Sequence, residues 1–278
     1  MACLYFGDFV GARDHFQNIV DLYDKARHGD FANRFGQDTR ATAEIFNALA
    51  SWVLGQIDDS LRLADHALAD SKSAAHAPTM GHGLANAAFL ELWRHNPEAV
   101  ATYSHELADI VSRHDLPTFL AGFAVFFQGW ARSADGAEES SLAKMRHGIA
   151  LEREQGSVWL LPSFEAALAE AEASAGETDA GLRRLDDAPA ELERTEQRSY
   201  EAEMRRIRAE ILLKRDPANA AAAEQSLHAA IAIAQSQKAR SFELRAALSL
   251  AKVYLAANRD VDAHAVLAPA VEGFPSTQ

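Results

Sequence analysis

Residues Ser241 to Phe274 read SFELRAALSLAKVYLAANRDVDAHAVLAPAVEGF. Apolar residues recur at helical spacing on both sides of Asn258-Arg259-Asp260, and that polar triplet is a turn signal. The stretch therefore predicts one helical hairpin. Ala251 lies about seven residues before the turn and Ala263 about five after Asn258. A small residue at each place lets the two helices cross closely, because a long side chain there would hold the backbones apart.

Weaker copies of this unit run back along the chain. Turn signals occur at Gly7-Asp8, Gly55-Gln56, Asn96-Pro97, Asp135-Gly136, Gly176-Glu177, Asp216-Pro217 and Asn258-Arg259. After a first interval of about 48 residues their spacing settles at about 40 to 42, the mark of a repeat architecture. About seven residues before the turns lie Ala48, Phe89 (beside Ala88), Gly129, Ala169, Ala209 and Ala251. About five residues after them lie Ala12, Ser60, Ala101, Ser141, Gly181, Ala221 and Ala263. Only Phe89 is large, so the crossing rule of the last hairpin extends along the chain.

The predicted helix pairs are 39–54 with 57–72, 77–94 with 97–113, 117–134 with 138–154, 159–175 with 178–193, 198–214 with 219–237, and 241–257 with 260–272. Asp58 and Thr178 are placed to cap helices, and Pro97, Pro217, Pro117 and Pro162 fall near helix starts, where proline is tolerated. Pro269 is expected to kink or end the last helix. Ala2 to Phe6 reads as the last turn of a first helix whose remainder is missing, followed by a full helix from Gly11 to Tyr23. Lys25 to Asp38, KARHGDFANRFGQD, shows no apolar period and reads as a loop. Gly81-His82-Gly83 interrupts a helix, since two glycines in one turn cost roughly 1–2 kcal/mol relative to alanine; close packing is the plain explanation and room for a ligand beside His82 the functional one. The fold class that follows is all-α. It is a right-handed, tetratricopeptide-like solenoid of about six helix pairs plus a partial leading one, in a single repeat domain over 1–278 (partial repeat 1–24, loop 25–38, repeats 39–278). The polar tail Glu272 to Gln278 and the short first repeat suggest a piece of a longer polypeptide.

Composition sets limits on partners. Hydrophobic residues make up 48% of the 278, enough for a substantial core, and the formal net charge of -13 would repel a nucleic-acid backbone. With one cysteine, Cys3, no intramolecular disulfide can form, which fits a reducing cytoplasm. The most apolar run, Leu120 to Trp130, is too short to span a bilayer.

Several stretches resemble the C-terminal tetratricopeptide region of large bacterial signalling proteins that carry a class III adenylate/guanylate cyclase domain and an ATPase upstream. They are Leu4-Tyr5-Phe6-Gly7-Asp8-Phe9 with Ala12-Arg13, Phe35-Gly36-Gln37-Asp38, Ala48 to Gly55, Gln128-Gly129-Trp130-Ala131, Glu193 to Leu213 and Ser241 to Ala246. The resemblance implies a regulatory or protein-binding segment with its catalytic domains elsewhere. The chain departs from the pattern at Gly81-His82-Gly83, and it stops soon after Gly273-Phe274.

No catalytic centre is expected. There is no GxxxxGK[ST] phosphate loop and no GxSxG nucleophile elbow. The eleven histidines are scattered; His105-Glu106 followed by His114 lacks metalloprotease spacing, so no metal and no cofactor are expected. Paired acids such as Asp58/Asp59 sit at helix starts, where they complement the helix dipole.

Binding residues follow from geometry. First helices of stacked pairs would line a concave groove, aromatic in its N-terminal half and charged in its C-terminal half. The anchors would be Trp52, Asn86, Trp93, Phe123, Phe126, Trp130, Glu170, Arg206, Glu210 and Lys252. The expected role is a non-catalytic module that binds a peptide, a helix or an upstream domain of its parent protein. The alternative is a small-molecule sensor with a pocket lined by Asn86, Trp93, Phe126 and the segment Phe35–Asp38. For the tryptophans the competing explanation is ordinary core. The missing first helix would leave an apolar face near Leu4, Phe6 and Phe9, open to a second copy of the chain in a homodimer.

Overall fold

A computed structural model describes residues 1–73, 76–114, 116–134, 136–156, 160–272 and 274 of the chain. The described residues contain helices and no strand. In order the helices are α1 (Ala2–Phe6), α2 (Phe9–Leu22), α3 (Lys25–His28), α4 (Phe31–Phe35), α5 (Thr39–Val53), α6 (Ile57–Ser73), α7 (Ala77–Trp93) and α8 (Pro97–Arg113). They continue with α9 (Thr118–Ser133), α10 (Glu139–Glu154), α11 (Leu161–Ser174), α12 (Thr178–Thr195), α13 (Glu201–Arg215), α14 (Ala220–Ser236), α15 (Arg240–Ala256) and α16 (Asp260–Val271). Asp135, Trp159, Gly273 and residues 275–278 lie outside the described residues.

From α5 onward every predicted helix is present. The turns work as the residues suggest: Gly55, Gly176 and Asn258 take φ of 83°, 94° and 57°, a left-handed conformation that glycine and asparagine adopt most readily. Some local expectations need correction. Thr178 is the first residue of α12, with Glu177 before it as the cap residue, and Asp58 lies inside the first turn of α6. Asn96 does cap α8, accepting from the Ala99 amide at 3.3 Å. α16 runs through Pro269 to Val271, and α7 runs unbroken through Gly81-His82-Gly83. The 25–38 segment contains two single-turn helices, and Asp38 caps α5 through the Ala41 amide at 2.9 Å.

The chain divides into two compact units. One comprises residues 10–52 and 56–164. In it α6 packs on α7, α7 on α8, α8 on α9 and α9 on α10, and α7 also meets α9. The other comprises residues 1–9, 53–55 and 165–278. There α12 to α16 pack each on the next, and α13 also meets α15.

The crossing residues do what their size predicts. Ser60 donates to the Ala48 carbonyl at 2.7 Å. A Cβ on Gly129 would sit 2.7 Å from the Ser141 carbonyl oxygen, and one on Gly181 2.6 Å from that of Ala169. These are backbone atoms and cannot swing aside, so α9–α10 and α11–α12 cross at a distance only glycine permits. Ala209, Ala251 and Ala263 share one buried cluster with Leu227, Leu250 and Tyr254. Two positions differ: Ala101 is part-buried, with Val100 and Ser104 buried beside it, and Ala221 is exposed, with Ala223 in the buried place. A 3-10 turn over Pro217–Asn219 delays the start of α14, and the register moves with it.

The first nine residues are not left open. Leu4 and Phe9 are buried, and Phe6 alone of the three expected face residues is exposed. Phe9 meets Phe242 edge-on at 6.4 Å, and Phe242 meets Tyr200 at 5.6 Å. The Arg198 amide donates to the Tyr5 carbonyl at 2.7 Å. The apolar face assigned to a second copy is thus largely covered from within the same unit, because the Phe242 ring of α15 reaches Phe9, with Tyr200 packed on that ring in turn.

The crossings can be tested by urea unfolding. Gly129→Val and Ala223→Leu are expected to destabilise by about 1–3 kcal/mol each through overpacking. Ala221→Leu, two residues earlier and on the exposed side of the same helix, is expected to stay within about 0.5 kcal/mol of the parent.

Candidate functional site

The aromatic half of the expected groove is core. Trp52, Trp93, Phe123, Phe126 and Trp130 are all buried. Phe126 stacks on Phe164 at 3.8 Å, Phe123 meets the same ring at 5.6 Å, and Trp52 meets Trp93 at 5.9 Å. These side chains fill the space between neighbouring helices, where each gains roughly 1.5–3 kcal/mol from burial. Their burial matches the ordinary core packing that competes with groove anchoring for such residues. Asn86 is buried as well; its amide donates to the His82 carbonyl at 2.9 Å, and its Oδ1 finds no partner among the described residues.

The Gly81-His82-Gly83 motif is explained by packing. A Cβ on Gly81 would lie 3.0 Å from a Leu120 methyl, and one on Gly83 2.8 Å from the Ser71 hydroxyl. His82 stands between them with its ring 5.5 Å from Phe46. Loss of water around the imidazole pushes its pKa down to about 4.

The charged half of the expected groove does assemble, on α11, α13 and α15. Arg206 is its centre. Its guanidinium donates to both oxygens of Glu203, at 3.1 and 3.2 Å, and pairs with Glu210 at 2.8 Å. Glu170 of α11 lies at 4.0 Å. Arg245 of α15 reaches the same Glu203 at 3.1 Å, and Ser249, one turn on, donates to Glu210 at 2.6 Å. The helical period makes this possible: Glu203, Arg206 and Glu210 lie on one face of α13, and Arg245 and Ser249 are four apart on α15. Glu203 is fully buried, whereas the Glu170 and Glu210 side chains remain 33% and 41% exposed. Lys252 is exposed on α15 near Leu248, which is also exposed.

The electrostatics separate the three carboxylates. Burial alone would raise Glu203, but the guanidinium groups of Arg206 and Arg245 outweigh it and hold the carboxyl below its usual range. Burial likewise works against the Arg206 charge, and the surrounding glutamates reverse it. At Glu170 burial prevails over Arg206, so this carboxyl is raised. Three glutamates face two arginines, leaving one negative charge in excess at the more open edge. Such an arrangement suits a cationic group, which would supply what Glu170 lacks.

Two further features escaped the sequence. A cavity of about 450 Å³ lies between α12, α13 and α14, lined by Leu185, Asp186, Met204, Arg205, Arg208 and Gln225 among others. Its wall charges pair, Arg208 with Asp186 at 2.7 Å and Arg205 with Glu201 at 3.3 Å. In the other unit Glu44, His66 and Asp70 converge. Neither has a motif; the only trace is the helical spacing of His66 and Asp70.

No protein-family model matches the chain. It is similar to an uncharacterized protein of Rhizobium meliloti (strain 1021), with 28% identity over 263 residues. That match takes in 92% of this chain and 25% of the relative, so the chain spans about a quarter of the length of that protein. No described helix is long and apolar enough to cross a membrane.

Two outcomes follow for the charged residues and for His82. Arg206→Met strands a buried carboxylate and is expected to cost on the order of 3 kcal/mol in urea unfolding. Glu170→Gln should instead raise stability at neutral pH, because a raised folded-state pKa gives stability that is present in acid and lost as the carboxyl ionises. His82 has the opposite dependence. The unfolded state takes a proton near pH 6.5 and the folded state only near pH 4, so stability present above pH 6.5 falls across that window. The slope should approach about 1.4 kcal/mol per pH unit and flatten in His82→Gln, as read by unfolding between pH 7.5 and 5.

Proposed function

We propose that the chain is a non-catalytic interaction module of tetratricopeptide-like hairpins, and that its α11–α13–α15 face binds a protein segment through a lysine or arginine side chain. The observation that carries this reading is the excess of one carboxylate over guanidinium groups at the open edge of the Arg206 cluster, where Glu210 is paired at 2.8 Å and Glu170 stands 4.0 Å from the same guanidinium. Glu170 and Glu210 are partly exposed and are held in place by Arg206 and Ser249. Preorganised acceptors of this kind lose little freedom on binding a cation. Leu248, exposed next to Ser249, supplies an apolar contact for the rest of the segment. The segment would belong to an adjoining domain of a longer polypeptide or to a separate partner, and its binding would bias an output carried elsewhere. The regulatory part rests on the resemblance to cyclase-associated repeat regions. The stacking of hairpins is supported by their period in the sequence and, within each unit, by the contacts α7–α9 and α13–α15.

A second reading, small-molecule sensing, is favoured by the cavity between α12, α13 and α14, whose 450 Å³ falls within the usual range for ligand pockets.

Fluorescence anisotropy with matched basic and charge-reversed peptides tests the first reading. Basic peptides are expected to bind, to weaken with added salt, and to lose on the order of tenfold in affinity when Glu170→Gln and Glu210→Gln are combined. Peptides that bind the double variant as tightly as the parent would overturn it. A small-molecule thermal-shift hit abolished by Arg205→Ala would favour the second.

A further inference from the structure

We infer that Glu44, His66 and Asp70 form a binding site for a divalent transition-metal ion. Glu44 comes from the buried face of α5, and His66 and Asp70 stand four apart on the facing side of α6. Each offers one ligand atom, and the three atoms lie within 4.8 Å of one another. His66 Nδ1 is 2.7 Å from Glu44 Oε2 and 3.9 Å from Asp70 Oδ2. Metal–nitrogen and metal–oxygen bonds near 2.0–2.2 Å in a tetrahedral site place neighbouring ligand atoms roughly 3.4 Å apart, and these separations bracket that value.

The surroundings fit the chemistry of such a site. Glu44 is almost fully buried, while the side chains of His66 and Asp70 are 48% and 39% exposed. The fixed ligand is therefore at the back and the open side faces solvent, which leaves water to complete the coordination. Arg40 Nε donates to Glu44 Oε1 at 2.9 Å, the oxygen that does not face His66. That bond orients the carboxylate and leaves Oε2 directed at the imidazole, the part that outer-shell partners play at metal centres. Arg40 is 3.9 Å from Asp70, beyond hydrogen-bond distance. It offsets one of the two carboxylates, and a third, Asp38, lies just before it at the cap of α5, accepting from the Tyr23 hydroxyl at 3.1 Å. The patch thus keeps a negative excess for a cation to neutralise. One imidazole with two carboxylates is a borderline donor set, suited to Zn²⁺ or Mn²⁺ more than to Mg²⁺ or Cu⁺. On binding, the metal takes Nδ1 and the ring proton resides on Nε2.

Isothermal titration of the untagged full chain with Zn²⁺ tests this. One site is expected, weakened at least about tenfold by His66→Ala and by Asp70→Asn, the smallest loss that even outer-shell changes cause. The exposed His105 serves as control, and His105→Ala is expected to leave the affinity unchanged. Both test side chains are part-exposed, so the variants should fold, and each can be checked by the rise of its own melting temperature with Zn²⁺. The inference is overturned if no site is found, or if the affinity of both variants stays within about threefold of the parent. The second result would place the ion on other histidines and leave Arg40, Glu44 and His66 as an ion-pair staple between α5 and α6.

Discussion

Two helices can approach to backbone distance only where side chains are nearly absent, and much of this structure depends on that constraint. Gly129 faces the Ser141 carbonyl and Gly181 the Ala169 carbonyl with no room for a Cβ. Ser60 goes further and hydrogen-bonds the Ala48 carbonyl it faces. Each such contact fixes where a pair of helices cross and how each is rotated about its own axis. Once rotation is fixed, the helical period decides which residues meet the next pair. The Arg206 cluster is a consequence: with Ala209 locked in the buried cluster beside Ala251, Glu203, Arg206 and Glu210 turn together toward α11 and α15.

Equivalent positions then have different fates because of what occupies them. On α7 and α9 they carry Trp93, Phe126 and Trp130, and these close the space between helices against water. On α13 they carry charge. A buried carboxylate is tolerated only when paired, and Glu203 is fully buried because two guanidinium groups reach it. Glu170 and Glu210 have less support and retain solvent. Packed helices thus give an aromatic core in one unit and a charged face that keeps solvent in the other.

This difference also explains what the sequence made legible. Helix positions were readable because turn residues recur every forty or so positions and interrupt an otherwise continuous apolar period. The crossing residues were readable for the same reason, except at Ala101, where Val100 and Ser104 are the buried residues, and at Ala221, where a 3-10 turn not encoded in the period shifts the register to Ala223. Which face of a first helix stays open was not readable. Tryptophan and phenylalanine suit a binding groove and a core equally well, and only the arrival of Phe164 on Phe126 decides between them. Charged residues resist burial without partners, and of the expected set Glu170, Arg206 and Glu210 meet, while Lys252 is exposed on α15. Glu44 was silent. A lone glutamate in an apolar helix has no sequence mark of the His66 and Asp70 that await it on the next helix.

The least expected contact joins distant parts of the sequence to the charged face. Phe9, Phe242 and Tyr200 form a row of edge-on rings. Tyr200 directly precedes α13, and Phe242 lies in the first turn of α15, so the row ties together the beginnings of both helices that carry the cluster. Arg198 holds the N-terminal segment through the Tyr5 carbonyl, and its own carbonyl accepts from Gln237 at 2.8 Å, at the end of α14. Tyr200 is buried, and that burial, with the Glu203 charge, keeps its hydroxyl protonated well above its ordinary range. The N-terminal residues therefore act as a brace. They join the beginnings of α13 and α15, the two helices that carry Glu203, Glu210, Arg245 and Ser249. A charged cluster can be preorganised for a cation only if its supports do not move, and here the support comes from the opposite end of the chain.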